Sequence, residues 1–138
     1  MVAYAGSTND DAEPKYKFPN GFHKSLELYN LHRVVGGAGD SRTVIVVEGF
    51  FDCIRVHAAG YPCVALMGSS LSDEQEKILC QQFTGAVLLF DGDDAGRTVT
   101  ENCLVRLGRR MWVKAGIVPQ GKQPDQLSID EIKTILSM

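Results

Sequence analysis

The residues with the clearest chemical potential are carboxylates that follow short apolar runs. Val87-Leu88-Leu89-Phe90 leads into Asp91-Gly92-Asp93-Asp94, and Val44 to Val47 leads into Glu48-Gly49, with Asp52 four residues past Glu48. A third acidic point, Asp125, follows Pro124 in VPQGKQPDQL. Carboxylates at alternate positions of a turn, as Asp91 and Asp93 are, can share a hard cation such as Mg²⁺. Gathered in one place such groups repel unless cations neutralise them. Metal-assisted phosphoryl transfer is the chemistry that such a set would serve. Each acid alone has a plainer reading: Asp-Gly marks a turn, Asp94 caps the helix that follows, and Asp52 and Asp125 are solvated.

What must position these acids is legible in the periodicity. Thr43 to Val47 (TVIVV) is continuous and β-branched, as a strand buried on both faces should be. FFDCIRVHAAG follows as a short amphipathic helix stopped by Gly60, and one turn of it brings Asp52 back toward the end of the strand. A second strand runs from Cys63 to Met67 and closes at Gly68-Ser69-Ser70. Ser72 and Gln75 form a capping box for a helix bearing Ile78, Leu79 and Phe83. The third strand spans Ala86 to Phe90, and Val99, Cys103, Leu104 and Leu107 share one face of the helix after it, ended by Gly108. Met111 to Val118 reads as a fourth strand with Trp112 in the core. Ser128 and Glu131 cap a last helix that turns Ile132, Ile135 and Leu136 inward. Strands alternating with helices predict an α/β fold, a compact parallel sheet of about four strands flanked by helices. Val44, Ile45, Val46, Val87 and Leu88 are its expected core. Ligands of open parallel sheets bind beyond the C-terminal ends of the strands, where the acids fall.

The remaining composition narrows the class. With 138 residues, 44% of them hydrophobic, the chain has room for one real core. Charged residues make up 22%, and no apolar run is long enough to cross a membrane. The opening MVAYAGSTND has neither a basic nor an apolar region of the kind that directs secretion. Cys53, Cys63, Cys80 and Cys103 form no CxxC and sit in apolar surroundings, which suits reduced thiols in a cytoplasmic protein rather than zinc ligands. The net charge of −3 does not exclude a polyanionic partner, because six acids fall at the presumed site and two divalent cations there would reverse the sign. Residues 1–14 read as a flexible leader. After the turn at Pro19-Asn20-Gly21, the spacing of Phe22, Leu26, Leu28, Tyr29 and Leu31 predicts a helix, and Val34 to Asp40 reads as a glycine-rich connector.

VVEGFFD, LMGSSLS, LLFDGDDAGR and PQGKQPDQL, in that order and spacing, resemble the Toprim domain of bacterial DnaG-type DNA primases. The resemblance runs from about Lys15 to the C-terminus, since KY and FHKS look like the end of the basic primase subdomain. It implies a remnant of that subdomain and a linker over 15–40, and a Toprim domain over 41–138. It implies Glu48 as the catalytic acid/base or organiser of the metal, Asp91 and Asp93 as ligands of Mg²⁺ (or Mn²⁺), and Asp52 and Asp125 as further members of the metal set. Lys15 and Lys24 match residues that contact template or nucleotide. The usual DPD reads Gln123-Pro124-Asp125 here, so one carboxylate of a two-metal site is replaced by an amide. The implied activity is Mg-dependent nucleotidyl transfer that makes RNA primers on single-stranded DNA in replication. Nucleoside triphosphates would be the substrates and a replicative helicase a partner. The zinc-binding domain and most of the basic subdomain of such primases lie upstream of the matching segment, so the isolated chain is expected to be weak or inactive.

Other readings of the same residues are a Toprim nuclease, with water as nucleophile, and a non-catalytic module that binds nucleic acid or protein. Arg97 opens its helix beside DGDDAG, where it can reach a phosphate or pair with Asp93 or Asp94. His57 is better placed to pack or face solvent than to catalyse. Ser69 and Ser70 have no partner base nearby in sequence.

Overall fold

The computed structural model describes residues 6–7, 16–17, 28–35 and 43–137. Lys15, Lys24 and the turn at 19–21 lie outside the described residues, as does most of the leader. Gly6–Ser7 (β1), in the leader, pairs antiparallel with Tyr16–Lys17 (β2), just beyond it. The main sheet has four parallel strands: β3 (Thr43–Val47), β4 (Cys63–Ala65), β5 (Gly85–Leu88) and β6 (Trp112–Ala115). Their spatial order is β4-β3-β5-β6, with Val46 opposite both Val64 and Leu88. The expected parallel α/β sheet is therefore the observed one.

The continuous apolar runs follow from burial on both faces. Val44, Val46, Ala86 and Leu88 face a layer containing Leu79, Val99, Cys103 and Leu107. Those four belong to α3 (Asp73–Gln82) and α4 (Asp94–Leu107). Ile45, Val47, Val87 and Leu89 face the opposite layer, with Cys53, Val56 and Ile132 from α2 (Phe50–Ala58) and α5 (Ile129–Leu136). All five expected core residues are 5% exposed or less. Both capping boxes form as the sequence indicated: Ser72 Oγ accepts from Gln75 N, and Ser128 Oγ accepts from Glu131 N. The four cysteines are free thiols, three of them buried.

Three expectations need correction. The helix reaching back through Tyr29 is absent from 28–30: α1 is the five residues Leu31–Val35. Tyr29 instead exchanges backbone hydrogen bonds with Ala65 at 3.0 and 3.2 Å, covering the outer edge of β4. Asn30 then turns the chain at φ 70° while its side-chain amide donates to the Cys63 carbonyl; asparagine tolerates that left-handed conformation better than most residues. β3 has the bounds read from the sequence, but the other three strands are shorter, β6 covering only Trp112–Ala115. Trp112 is 56% exposed rather than core. It sits on the outer strand opposite Gly85, where a Cβ would come within 3.0 Å of the indole, so the ring lies against the glycine.

α3 and α4 are joined by one residue that periodicity does not reveal. Arg106 donates to Glu76 at 2.7 Å, to Asp73 at 2.8 Å and to the Leu71 carbonyl, with its side chain only 21% exposed. Arg106→Ala removes the fork and strands the Leu71 carbonyl. Urea unfolding should show a loss of about 1–3 kcal/mol. Arg106→Lys should recover only part of it, because an ammonium cannot reproduce the planar fork. A loss below about 0.5 kcal/mol, the size of an ordinary surface substitution, would contradict this role.

Candidate functional site

The strand order reverses between β3 and β5: β4 lies on one side of β3, and β6 on the far side of β5. Such a switch point opens a crevice beyond the carboxyl ends of the strands. Glu48 leaves β3 there and Asp91 follows β5, so the two acids flank the crevice. A cleft of about 250 Å³ results, lined by Glu48, Phe51, Asp52, Met67, Asp91 and Asp125 among others. Gln123 also lines it.

Backbone geometry draws these groups together. Gly92 donates to the Lys122 carbonyl at 2.8 Å and accepts from Gly121 N at 2.7 Å. A Cβ at Gly92 would lie 2.1 Å from the Pro119 carbonyl oxygen, so only glycine allows the 119–122 loop to come this close. Gly96 is needed for the same reason, its missing Cβ falling 2.0 Å from the Asp91 carbonyl oxygen. The loop carries Asp125 inward on a 3-10 turn, Pro124–Gln126. Asp52, 6% exposed, then accepts from Asp125 N at 3.0 Å and from Gly49 N at 3.3 Å. One buried carboxylate thus ties the β3 end to the loop after β6.

The electrostatics are those of crowded acids short of counter-charge. Burial, then Asp91, Asp93 and Asp52, push the Glu48 carboxyl up to about 7, despite a long 3.5 Å hydrogen bond from Asp91 N. Burial raises Asp52 to about 6, with Asp91 and Asp125 adding to it and the Asp125 N–H opposing. Asp91 is raised by burial, Asp93 and Asp125. Asp91 Oδ1 and Asp125 Oδ1 are buried with no hydrogen-bond donor among the described residues.

The sequence-derived candidates are therefore placed unevenly. Glu48, Asp52, Asp91 and Asp125 line one cleft. Asp93 is the N-cap of α4, a role expected of Asp94, and accepts from Gly96 N at 2.7 Å. Among the described residues no three acids, imidazoles or thiols are already set to grip one ion. Arg97 pairs with Asp94 at 2.5 Å and donates to Gln120 at 2.9 Å, holding the helix start to the neighbouring loop. His57 is exposed in the last turn of α2. Two cleft residues escaped the sequence reading, Phe51 and Met67. Met67 adopts φ 61° and donates to the Glu48 carbonyl at 2.7 Å, an unfavourable conformation for a long side chain. Two consecutive phenylalanines at a helix start were the available signal for Phe51, since adjacent helical positions cannot both face the core.

A four-stranded parallel sheet flanked by helices, with acids at its switch point, defines a compact α/β domain, and the comparisons make the class specific. The chain belongs to the Toprim-like family, whose sequence model matches residues 45–128. Within that family the likeness is to DNA primases. The DNA primase of Deinococcus radiodurans is 36% identical over 132 residues, covering 90% of this chain and 23% of that protein. A DNA primase domain from Pseudomonas aeruginosa superposes with TM-score 0.79 and 32% identity, covering 92% of this chain and 42% of that one. The Aquifex aeolicus primase, with its zinc-binding and RNA polymerase domains, gives TM-score 0.84 and 26% identity over 99% of this chain and 36% of that one. The chain thus spans less than a quarter of the Deinococcus protein's length. Among the described residues no helix is long and apolar enough to cross a membrane.

The raised carboxyls make stability depend on pH in a definite direction. Glu48 and Asp52 hold protons more tightly in the folded chain than at their ordinary values of 4.5 and 3.8. Folding is therefore penalised increasingly as pH rises from about 4 through 6 to 7, where both become charged. In chelator, Glu48→Gln should unfold at higher urea than the parent at pH 7.5, by about 1–2 kcal/mol after screening. That gain should vanish near pH 4. Equal behaviour of parent and variant at both pH values would remove the crowding argument.

Proposed function

We propose that the chain is the catalytic Toprim domain of a DNA primase, carrying out Mg-dependent nucleotidyl transfer from nucleoside triphosphates onto a primer paired to single-stranded DNA. The observation that carries this reading is the pair of buried, unpartnered carboxylate oxygens, Asp91 Oδ1 and Asp125 Oδ1, facing raised acids at the switch point. Such oxygens need a proton or a hard cation, and an all-oxygen donor set suits Mg²⁺ or Mn²⁺. The residues therefore fit the metal. Glu48, Asp91 and Asp93 would hold it, with Asp52 and Asp125 beside them. Because Mg²⁺ keeps most of its waters, a site without three preset ligands is compatible with it. Bound there, the ion would neutralise charge on the transferring phosphates.

The chain's own groups account for the remaining chemistry. Glu48, at the end of β3 beside Asp91, would serve as the acid/base toward a primer 3′-hydroxyl or as organiser of the metal. Asp52 positions the loop that bears Asp125, through the backbone hydrogen bond already described. Gln123 lines the cleft with an amide where a carboxylate would bring charge, which favours occupancy by one ion. Residues 15–40 would be the remnant of the basic subdomain and its linker, with Lys15, Lys24 and Arg97 as contacts for template or nucleotide. A replicative helicase would be the partner, in the cytoplasm, where the free thiols are stable.

Two measurements test this. Mg²⁺ or Mn²⁺ should move the amide NMR signals of Gly49, Gly92 and Asp93 at millimolar concentration, and Asp91→Asn should blunt the response. Signals that stay fixed at every concentration would end the metal reading. In a protein that also carries upstream zinc-binding and basic domains, Glu48→Gln should abolish primer synthesis and leave DNA binding nearly intact. Strong DNA cleavage by this chain, lost in Glu48→Gln, would point to a nuclease instead.

A further inference from the structure

The turn after β4 reaches an unfavourable backbone conformation where it meets Glu48. In an extended strand successive amides point to opposite sides. Ala65 N turns outward to the Tyr29 carbonyl at 3.2 Å, and Leu66 N inward to the Val47 carbonyl at 3.0 Å. Continued extension would send Met67 N outward again. It points inward instead and donates to the Glu48 carbonyl at 2.7 Å, within a turn that holds Met67 at φ 61°. Gly68, one place later, has no such angle. A residue that resists the left-handed region therefore occupies the position that needs it.

The bond from Met67 has a counterpart on the other edge of the same peptide unit. Gly49 N, which shares one plane with the Glu48 carbonyl, donates to Asp52 Oδ2 at 3.3 Å. The Glu48–Gly49 peptide is thus gripped at both edges, from the turn after β4 and from α2. The Glu48 carboxylate itself is held by a long hydrogen bond, 3.5 Å from Asp91 N, so its aim must come from the backbone. We infer that Met67 is a positioning residue for Glu48: the left-handed turn at Met67 delivers the amide that, with Asp52, fixes the Glu48–Gly49 peptide and points the carboxylate into the cleft. The inference rests on the metal-dependent nucleotidyl-transfer reading. What matters at position 67 is then the backbone conformation. The thioether, packed against the core beside the cleft, is secondary. A residue that cannot take this φ must open the turn, and the amide leaves with it.

Substitutions that separate conformation from packing test this. Glycine and asparagine accept the left-handed region and carry no apolar side chain, whereas valine and isoleucine are apolar and resist it. In chelator, the scalar coupling across the hydrogen bond between position 67 N and Glu48 C′ should survive in Met67→Gly and Met67→Asn. It should vanish in Met67→Val and Met67→Ile. Mn²⁺ affinity, read from broadening of the Gly92 and Asp93 amide signals, should stay near the parental value in the first pair and fall about 10- to 100-fold in the second. A packing role would give the reverse order, since valine and isoleucine keep an apolar side chain there, and that result would overturn the inference. Parental affinity in all four variants would overturn it too. If the β-branched variants fail to fold, Met67→Gly and Met67→Asn decide. Parental coupling and affinity in both support the positioning role, and a loss of about 10-fold in both ends it. Each of these failures leaves the metal reading standing, because the parent still binds Mn²⁺. A parent whose signals never respond to Mn²⁺ would end the nucleotidyl-transfer reading and the positioning role together.

Discussion

The site depends on the contact between the backbone of Gly92 and the loop at Pro119 to Lys122. Carboxylates at the ends of β3 and β5 and in the loop after β6 would separate if their charges alone decided the matter. They are held together by neutral forces: two backbone hydrogen bonds at Gly92, the Asp52 bond to Asp125 N, and a sheet buried on both faces. Each backbone bond is modest, about 1 kcal/mol net, and each raised carboxyl pulls against it. The outcome is a cleft in which burial and crowding push Glu48 up to about 7 and Asp52 up to about 6 while the scaffold stays in place. A rigid frame of this kind keeps repelling groups in position without help from counter-charge.

The sheet was legible because its physics is local. A β-branched run at 44–47 and an apolar run at 86–88, bounded by glycines and capping boxes, allow one reading, and burial on both faces explains why they do not alternate. The acids were legible for a related reason, since a polar residue directly after a buried strand must emerge at the sheet's edge. What escaped was tertiary. Tyr29 belongs to a bridge with Ala65, thirty-six positions away, and no helical period could indicate it. Trp112 is exposed because it lies on an outer strand against a glycine, and neither its strand's place nor its partner is written locally. The same holds for Arg106, whose three acceptors lie thirty or more positions earlier.

Asp93 and Asp94 show how close a local rule can come and still misassign a role. Either could cap α4, and the periodicity favoured Asp94. Asp93 takes the cap, and Asp94 pairs with Arg97 instead. That exchange has a functional side. An N-cap carboxylate sits on the positive end of the helix, which stabilises its charge while one of its oxygens is used. Asp93 thus has one oxygen committed to the helix start, whereas Asp91 and Asp125 each carry a buried oxygen with no donor among the described residues.

The cleft is also one-sided. Its wall is built from the sheet edge, the start of α2 and the 119–125 segment, and it opens to solvent at Phe51. None of the described residues lining it is basic; Lys122, in the 119–125 segment, is exposed, and Arg97, a cation beside the DGDDAG turn, is engaged by Asp94 and Gln120. On the nucleotidyl-transfer reading, a nucleotide bound here would have its phosphates met by the acids through a metal. The counter-charge for a template strand would have to come from elsewhere. Since phosphate contacts supply most of the affinity for a nucleic acid strand, an acidic cleft of this kind would, on the nucleotidyl-transfer reading, leave strand binding to another surface. That division matches a chain spanning about a fifth to a quarter of the length of the primases it resembles.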